Sequence, residues 1–360
     1  MNDNLYSVIR SSGSFIPPKK VKNEDFLKNQ FYDLDGNEFE RDNQEIIKKF
    51  FEITTISERR YADEDLVTSD IAYLAAKDAL KSAGIDKEEL SYIIVAHNFG
   101  DVKADNKRSD MVPTLAARVK YLLKIENPNT IAYDLPFGCP GWLQAIIQAN
   151  YYIKSGDAKH VLVIGAEILS RVSDPHDRDS MIYADGAGAV LLSAQESKTP
   201  IGILGHKSRS DTFIYSKMLY MGKSFKPTKE KGKEIFLKMN GGKLYRYALE
   251  TVPSAIKDCL EECNVSIKDV KKILIHQANG KMDDAILKRL FGLYNIKKIP
   301  DGIMPMTIDK LGNSSVATLP TLLDLILKKR LDQHEINKGD YIVFASVGAG
   351  MNINAVVYRF

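Results

Sequence analysis

The sequence predicts a layered α/β protein. Along its 360 residues, short apolar runs typical of strands alternate with stretches of helical periodicity, as in sheets covered by helices. One predicted helix, residues 140–155, is apolar on nearly every side, which indicates a place between other layers. A boundary near residues 196–199 separates two parts, each ending in a pair of predicted strands. We therefore expect two α/β halves, residues 1–198 and 199–360.

The individual elements follow from the spacing of apolar residues. Strands are predicted at residues 5–9, 92–97, 130–133, 161–165, 187–193, 201–205, 272–276, 341–346 and 352–358. Helices are predicted at residues 70–83, 113–123, 140–155, 243–263, 282–291 and 315–329. Thr68 and Ser69 are candidate caps of the first helix. Residues 98–111 and 208–239 carry no predicted element, and loops of that length are usually functional or mobile.

The composition indicates a folded protein that needs neither disulfides nor a membrane span. Apolar residues make up 44% and charged residues 27% of the chain, and no apolar run approaches the length of a bilayer span. The N-terminus does not look like a signal peptide, so we expect a cytoplasmic protein. Three cysteines cannot complete a disulfide framework. Cys259 and Cys263 would share one helix face, without further ligands nearby for a zinc site.

The positive charge is small but clustered. A net charge of +3 is too low to indicate nucleic-acid binding. Eight lysines nevertheless lie between Lys217 and Lys243, and Lys281, Lys288 and Arg289 fall on one predicted helix. Two interpretations stay open for these clusters: ordinary solvated faces, or docking of a small acidic protein.

Cys139 lies where a predicted strand meets a predicted helix. The segment 134–143 reads DLPFGCPGWL, and Pro140 suits a first helical turn because it has no N–H to leave unpaired. A cysteine at that point faces unpaired backbone N–H groups and the positive end of the helix dipole, and both favour the reactive thiolate. The alternative is a small, buried, unreactive cysteine.

Three further segments place polar or small residues where chemistry is common. His276 ends a predicted strand, where α/β proteins collect catalytic groups, although a structural hydrogen-bonded role is the alternative. Asn313 follows a glycine turn before a predicted helix, where capping is its alternative role. The segment 346–351, SVGAGM, sets small residues between two strands, so a backbone N–H can approach a ligand closely.

The ordered set of Cys139, His276, Asn313 and the 348–350 loop resembles the β-ketoacyl-acyl-carrier-protein synthase III family, a branch of the thiolase-fold condensing enzymes. The resemblance extends to the segments ERRYADED at 58–65, YADGAGAV at 183–190 and MNG at 239–241. It implies two similar halves in a five-layer α-β-α-β-α arrangement, the first carrying Cys139 and the second His276 and Asn313. Thiolases would need a second catalytic cysteine near the C-terminus, and the last cysteine here is Cys263.

The resemblance also implies the chemistry of an acyltransferase. Cys139 would take an acyl group from a thioester donor, with the backbone N–H groups of Cys139 and Gly350 forming the oxyanion hole. His276 and Asn313 would donate hydrogen bonds to a malonyl thioester and stabilise the enolate formed as carbon dioxide leaves. Attack of the enolate on the acylated cysteine would give a β-ketoacyl product for fatty-acid, specialised lipid or polyketide biosynthesis, without metal or redox cofactor.

The same resemblance implies partners, and the sequence departs from the family pattern at the donor site. Lys49 and Ile53 stand where members that use acetyl-coenzyme A carry a tryptophan and an arginine, while Arg178 matches another arginine of the coenzyme A site. We therefore expect acyl carrier protein or a larger acyl-coenzyme A as the donor.

Partner contacts follow from the resemblance in the same way. Lys281 matches a basic residue that docks the carrier protein, Lys288 and Arg289 extend that face, and the chain is expected to form a homodimer. Phe137, Trp142 and the loop 98–111 are candidates to shape the acyl pocket. Two alternatives stay open: a non-condensing acyltransferase of the same fold, and a catalytically silent partner of an active homologue.

Overall fold

A computed structural model describes residues 4–227 and 234–360 of the chain. Three lysines of the basic run, Lys229, Lys231 and Lys233, lie outside these described residues. The strands are β1 (Leu5–Phe15), β2 (Lys19–Lys22), β3 (Glu58–Tyr61), β4 (Tyr92–His97), β5 (Asp101–Val102), β6 (Ser109–Asp110), β7 (Ile131–Pro136), β8 (His160–Ile168), β9 (Asp185–Glu196), β10 (Gly202–Ser210), β11 (Leu219–Gly222), β12 (Phe236–Met239), β13 (Val270–Ile275), β14 (Tyr341–Gly348) and β15 (Asn352–Arg359). The helices are α1 (Asn43–Thr54), α2 (Thr68–Lys81), α3 (Leu115–Leu122), α4 (Gly141–Ser155), α5 (Thr212–Tyr215), α6 (Gly241–Glu262), α7 (Gly280–Leu293), α8 (Ile308–Leu311) and α9 (Thr318–Leu327).

Two mixed sheets have corresponding strand orders. The first sheet runs β1-β9-β8-β4-β7, and the second runs β10-β15-β14-β13. In each sheet the first three strands pair antiparallel, and parallel pairing follows. In the first sheet β8 pairs with β4 and β4 with β7, and in the second sheet β14 pairs with β13. The expected boundary at residues 198 and 199 falls in the connection between β9 and β10. Division of the chain into two halves there stays a prediction.

Five layers stack around these sheets. Helices α4 and α9 lie between the sheets, because Leu143, Ile147 and Leu322 share one apolar core with Val163 of the first sheet and Phe344 of the second. Helices α2 and α3 cover the outer face of the first sheet, and α6 and α7 cover that of the second. This central position explains why the helix predicted at 140–155 is apolar on nearly every side, because α4 is covered by a sheet on both sides. The predicted five-layer α/β fold is confirmed.

Each predicted strand and helix overlaps an observed one, and the largest differences have local causes. β1 continues six residues past its predicted end to Phe15, because small polar residues there pair with β9 and Ser12 and Ser14 donate to the buried Asp324. The helix predicted from residue 315 begins at Thr318, after a 3₁₀ turn over Ser315–Ala317.

The predicted caps Thr68 and Ser69 were wrong as caps. The two residues form the first turn of α2, where Ser69 donates its backbone N–H and its hydroxyl to Asp101. The long stretches without prediction hold the short pair β5 and β6, and the hairpin of β11 and β12.

The close approach of β8 to the turn before α9 yields a stability test. A Cβ added at Gly165 would lie 2.3 Å from the carbonyl oxygen of Val316, and overpacking of this kind costs about 1–3 kcal/mol. Gly165→Ala should therefore lower the urea midpoint of unfolding. Gly292→Ala is the matched control, because no heavy atom lies within 4 Å of a Cβ in that turn of α7. The control should be neutral or stabilising by about 0.5–1 kcal/mol. Equal midpoints for the two variants would contradict the packing described.

Candidate active site

Cys139, His276 and Asn313 line one cavity of about 590 Å³. Cys139 follows the end of β7, His276 follows the end of β13, and Asn313 lies in the turn before α9. The carboxyl ends of parallel strands in this class of fold open at one edge of the sheet, which is why residues far apart in sequence meet there. The structure thus brings the three predicted catalytic residues together.

Glycines allow the loop after β14 to press against the nucleophile candidate. A Cβ at Gly348 would lie 2.6 Å from the Cys139 backbone nitrogen, and a Cβ at Gly138 would lie 2.9 Å from the backbone nitrogen of Ala349. Gly138 also has a φ of +72°, in the left-handed region that favours glycine. Any side chain at these two positions would push the loop away from Cys139.

Burial changes the expected acidity of Cys139. Desolvation raises the pKa of its thiol to about 11, and the nearby Glu167 also raises it. A hydrogen bond donated by the Ser315 hydroxyl to Sγ, over 3.3 Å, lowers the pKa in part. The sequence position favours a thiolate, whereas the dry surroundings favour the protonated thiol at neutral pH. The cause is the loss of water around a charged sulfur.

His276 is held neutral in the cavity wall. The residue is 3% exposed, and burial lowers the pKa of its imidazole to about 4. Its backbone N–H donates to the carbonyl of Ala345 over 2.8 Å, which ties the residue to β14. Its Nδ1 is fully buried and accepts or donates no hydrogen bond within the described part of the chain. A neutral imidazole still carries one N–H, which is what donation to an enolate oxygen requires.

Asn313 is fixed by its backbone and by its amide oxygen. Its backbone N–H donates to the Ile182 carbonyl and its carbonyl accepts from Ala184, over 2.9 and 2.8 Å. Its Oδ1 accepts from the backbone N–H of Ser315 over 2.8 Å. Asn313 is not a helix cap, because the residues at the cap positions of the 3₁₀ turn and of α9 are Ser314 and Ala317. The bond from Ser315 sets the orientation of the amide and leaves the Nδ2 hydrogens for a ligand, since no described residue accepts from them.

Gly350 lies beside the cavity without lining it. Its φ is +78°, and its carbonyl accepts from the Thr212 hydroxyl over 2.7 Å. Its neighbour Ala349 does line the cavity. The role of the Gly350 N–H in an oxyanion hole stays a prediction.

The coenzyme A positions inferred from the sequence lie at the cavity rim. Lys49, Ile53 and Arg178 are exposed there and line the opening. The Arg178 guanidinium lies over the Phe39 ring, 5.0 Å from its centroid. Arg41 completes the positive rim. Phe39 and Arg41 could not be predicted from the sequence, because they lie outside any predicted element and show no characteristic spacing.

A buried ion pair holds the wall next to Arg178. Lys238 of β12 is 1% exposed, and its ammonium donates to Asp174 over 2.5 Å and to Asp177 over 3.2 Å. Asp177 in turn accepts from the backbone N–H of Asp179, at the start of the short 3₁₀ helix that carries Arg178. A buried charge is tolerated only when it is paired in this way. The pair therefore fixes β12 relative to the rim.

Both stretches without predicted elements contribute apolar walls. Phe99 from the first, and Leu219 and Leu237 from the hairpin of β11 and β12, line the cavity. Trp142 does not, because its ring is 1% exposed and packs edge-on against Phe344 in the central layer. The proposal that Trp142 shapes the acyl pocket was therefore wrong, and Phe137 is likewise absent from the lining residues.

The basic helix face lies next to the cavity mouth. Lys281, Lys288 and Arg289 are all exposed on α7. Asn279 and Met282, at the start of the same helix, line the cavity. Lys281 and Lys288 are seven residues apart and so project from one side of α7. The geometry is compatible with both earlier interpretations, and docking stays a prediction.

Comparisons with known proteins identify the family. A model described as 3-oxoacyl-[acyl-carrier-protein] synthase III matches residues 133–212, and its C-terminal counterpart matches residues 260–360. The chain is 31% identical over 359 residues to β-ketoacyl-[acyl-carrier-protein] synthase III 1 of Vibrio parahaemolyticus, covering 99% of this chain and 100% of that one. The chain belongs to the 3-oxoacyl-[acyl-carrier-protein] synthase III family. As a member of this family it is an acyltransferase-type condensing enzyme.

Two further comparisons support the same family assignment. A synthase III of Ehrlichia canis is 31% identical, covering 98% of this chain and 99% of its own. The crystal structure of a synthase III from Thermus thermophilus matches with a TM-score of 0.80 at 28% identity, covering 98% and 99% of the two chains.

Among the described residues, no helix is long and apolar enough to span a membrane. Nor does that part of the chain hold a cluster of three or more metal-binding side chains.

The lowered pKa of His276 predicts that the folded protein loses stability in acid, and a substitution at this position can isolate its contribution. The unfolded chain takes up a proton near pH 6.5, whereas the folded residue stays neutral to about pH 4, so its contribution to stability is full above pH 6.5 and falls as the pH drops toward 4. Between pH 7 and pH 5 this amounts to about 2 kcal/mol. Over this interval the free energy of unfolding should therefore fall by about 2 kcal/mol less in His276→Gln than in the wild type. Urea unfolding of both proteins at the two pH values measures this difference. Parallel losses would show that His276 is accessible and titrates normally.

Proposed function

We propose that this synthase III family member transfers an acyl group from a thioester donor to Cys139 and then condenses it, with decarboxylation, with a malonyl thioester on acyl carrier protein. The observation that carries the proposal is the convergence of one thiol and two hydrogen-bond donors, Cys139, His276 and Asn313, on a single cavity. The printed names of both relatives, β-ketoacyl-[acyl-carrier-protein] synthase III, support the choice of carrier and product.

The first half-reaction forms the acyl-enzyme. The Cys139 sulfur attacks the donor carbonyl, the thiol proton passes to the departing carrier thiolate, and a new thioester to the enzyme replaces the old one. The oxyanion formed on the way would be held by the backbone N–H groups of Cys139 and Gly350, which act on charge only as it develops. The apolar cavity walls exclude water, which protects the thioester from hydrolysis.

The second half-reaction uses the two donors that share the cavity with the sulfur. His276 and Asn313 hydrogen-bond the thioester oxygen of the malonyl group, and carbon dioxide leaves with its bonding electrons staying behind as an enolate. The enolate carbon attacks the acyl-Cys139 carbonyl, and collapse of the adduct releases the β-ketoacyl product and the Cys139 thiolate, which is reprotonated. The neutral state of His276 suits this role, because a cation would hold the malonyl carboxylate and oppose its loss.

The rim residues support a carrier-bound donor. Arg178 and Arg41 offer guanidinium groups to the phosphate of a phosphopantetheine arm, and this arm is common to coenzyme A and acyl carrier protein. Lys49 and Ile53 provide no aromatic surface for an adenine ring. We therefore propose acyl carrier protein or a larger acyl-coenzyme A as the donor. The substrates bring their own carriers, and the proposed chemistry uses no metal or redox cofactor.

Assembly and location belong to the same proposal. Strand β7 ends the first sheet and pairs there only with β4 within the described residues. Its side chains are half-buried or exposed, with Ile131 at 50% exposure, and such an open apolar edge is a natural place for a second strand. We propose a homodimer paired at this edge, acting in the cytoplasm on fatty-acid, specialised lipid or polyketide precursors.

Mass spectrometry of the intact protein tests the nucleophile. Wild-type protein offered acyl-coenzyme A and acyl-carrier thioesters should gain one acyl mass on Cys139, and Cys139→Ala should gain none while retaining some decarboxylation of malonyl-carrier protein. Cys263→Ala is the matched control and should acylate normally, because Cys263 does not line the cavity. Acylation without release of carbon dioxide would identify a non-condensing acyltransferase instead. A wild type that never acylates would identify a silent subunit.

Charge reversal tests carrier docking. Replacing Lys281, Lys288 and Arg289 together by Glu should raise KM for carrier-protein substrates roughly tenfold at low salt, because rim charges steer association. The KM for a small malonyl thioester should not change. A control triple at the exposed Lys77, Lys81 and Lys198 removes the same charge away from the cavity lining. Equal effects on carrier-bound and small substrates, or equal effects of the two triples, would refute docking at α7.

A further inference from the structure

A chain of hydrogen bonds runs behind Cys139 from a buried carboxylate to the sulfur. Glu167 Oε2 accepts from both the backbone N–H and the side-chain Nδ2 of Asn98, over 2.9 and 2.6 Å. The same Nδ2 donates to the Ser315 hydroxyl oxygen over 3.1 Å, and that hydroxyl donates to Cys139 Sγ over 3.3 Å. The four residues come from the ends of β4, β7 and β8 and from the turn before α9.

The donors and acceptors allow the chain to run in one direction only. The Asn98 amide nitrogen carries two hydrogens, and it donates one to Glu167 and the other to Ser315. Because the Ser315 oxygen accepts from Asn98, its own hydrogen is free to point at the sulfur. Glu167 anchors the chain because its oxygen holds both the backbone and the amide of Asn98, which prevents the amide from flipping.

The backbone conformation of Ser315 directs its hydroxyl toward Cys139. Its φ is +52°, in a region that residues other than glycine rarely occupy, and the residue is 4% exposed. Its backbone N–H donates to Asn313 Oδ1, so the same turn orients the hydroxyl toward Cys139 and the amide of Asn313 toward the cavity. Strained conformations of this kind persist where surrounding contacts impose them, and they concentrate at functional sites.

The surroundings of the sulfur make this hydroxyl important. Burial and the neighbouring Glu167 raise the pKa of Cys139, and the Ser315 hydroxyl is the side-chain donor that opposes them. No other side chain in residues 4–227 and 234–360 donates a hydrogen bond to Sγ. Burial raises the pKa of Glu167 itself to about 7, the nearby His97 and the hydrogen bonds from Asn98 oppose this shift, and Asp185 adds to it.

We propose that Ser315 is a further catalytic residue of this enzyme, whose hydroxyl stabilises the Cys139 thiolate, and that Asn98 and Glu167 are positioning residues that hold the hydroxyl toward the sulfur. The inference rests on the proposed function only in taking Cys139 as the nucleophile. A hydrogen bond to a charged acceptor is stronger than one to a neutral acceptor, so the bond favours the thiolate over the thiol. Loss of the hydroxyl removes that preference.

Alkylation by iodoacetamide tests the inference without any substrate. The rate at Cys139, resolved from Cys259 and Cys263 by peptide mass spectrometry, is measured from pH 7 to 9.5, where it follows the thiolate fraction. Ser315→Ala should alkylate about tenfold more slowly, with its profile displaced by about one pH unit, since one pKa unit is a tenfold change in that fraction. Ser314→Ala is the matched neighbouring control and should stay within about twofold of the wild type.

A glycine variant separates the hydroxyl from the fold. Ser315→Gly should be at least as stable as the wild type, because glycine accepts a positive φ without strain, and it should still alkylate as slowly as Ser315→Ala. Wild-type alkylation by the glycine variant would show that Ser315 serves the fold alone and would overturn the proposal. This variant also keeps the test decisive if Ser315→Ala folds poorly.

Asn98→Leu tests the positioning step. If Asn98 acts only by orienting Ser315, Asn98→Leu should slow alkylation, and the double variant with Ser315→Ala should be no slower than Ser315→Ala alone. Independent, multiplying losses would refute the chain. The outcome is separable from the proposed function: a wild type that acylates on Cys139 while Ser315→Gly alkylates normally refutes only this inference. A wild type that never acylates refutes the function and leaves the alkylation result standing.

Discussion

Burial of α4 and α9 between the two sheets is the constraint on which the site depends. Both helices are covered on two sides, so their first turns are fixed against the strand ends of both sheets. Cys139 precedes one helix and Asn313 precedes the other, which places a thiol and an amide in the same cavity. Gly165 and Gly348 permit the backbone approaches that this arrangement needs, since side chains there would overlap Val316 and Cys139.

Desolvation then determines the chemistry of the site. The same dry surroundings keep His276 neutral, which suits donation to an enolate, and keep Cys139 protonated, which does not suit attack on a thioester. A thiol proposed as the nucleophile in such surroundings therefore needs local donors, and the Ser315 hydroxyl is such a donor. The benefit of excluding water is a longer-lived acyl-enzyme and stronger interactions with developing charge.

Charge is arranged differently at the cavity rim and behind the cavity wall. The rim exposes Lys49, Arg178 and Arg41 to solvent, where they can meet a phosphate without a large desolvation cost. Lys238 is buried below the rim and is paired with Asp174 and Asp177, so it fixes the wall and offers no charge to a ligand. The exposed rim side chains are therefore available to a ligand, whereas the buried Lys238 stabilises the cavity wall.

The sequence by itself determined the layered α/β fold, the order of its strands and helices, and the candidate residues Cys139, His276 and Asn313. Strand and helix periodicity is local, and the motifs around these residues are short, so both can be recognised along the chain. The family resemblance also predicts a donor site at Arg178, Lys49 and Ile53; all three line the cavity, and their role in donor binding stays a prediction.

Only the tertiary structure decided the walls, the acidity of the site and the support of the nucleophile. Helix α1 and the hairpin of β11 and β12 were not predicted, although they line the cavity, and Trp142 was placed in a pocket that it does not reach. The hydrogen bond from Ser315 to Cys139 joins residues 176 positions apart, and that from Asn98 to Ser315 spans 217. Burial and such long-range contacts set the pKa values, and neither leaves a periodic signal in the sequence.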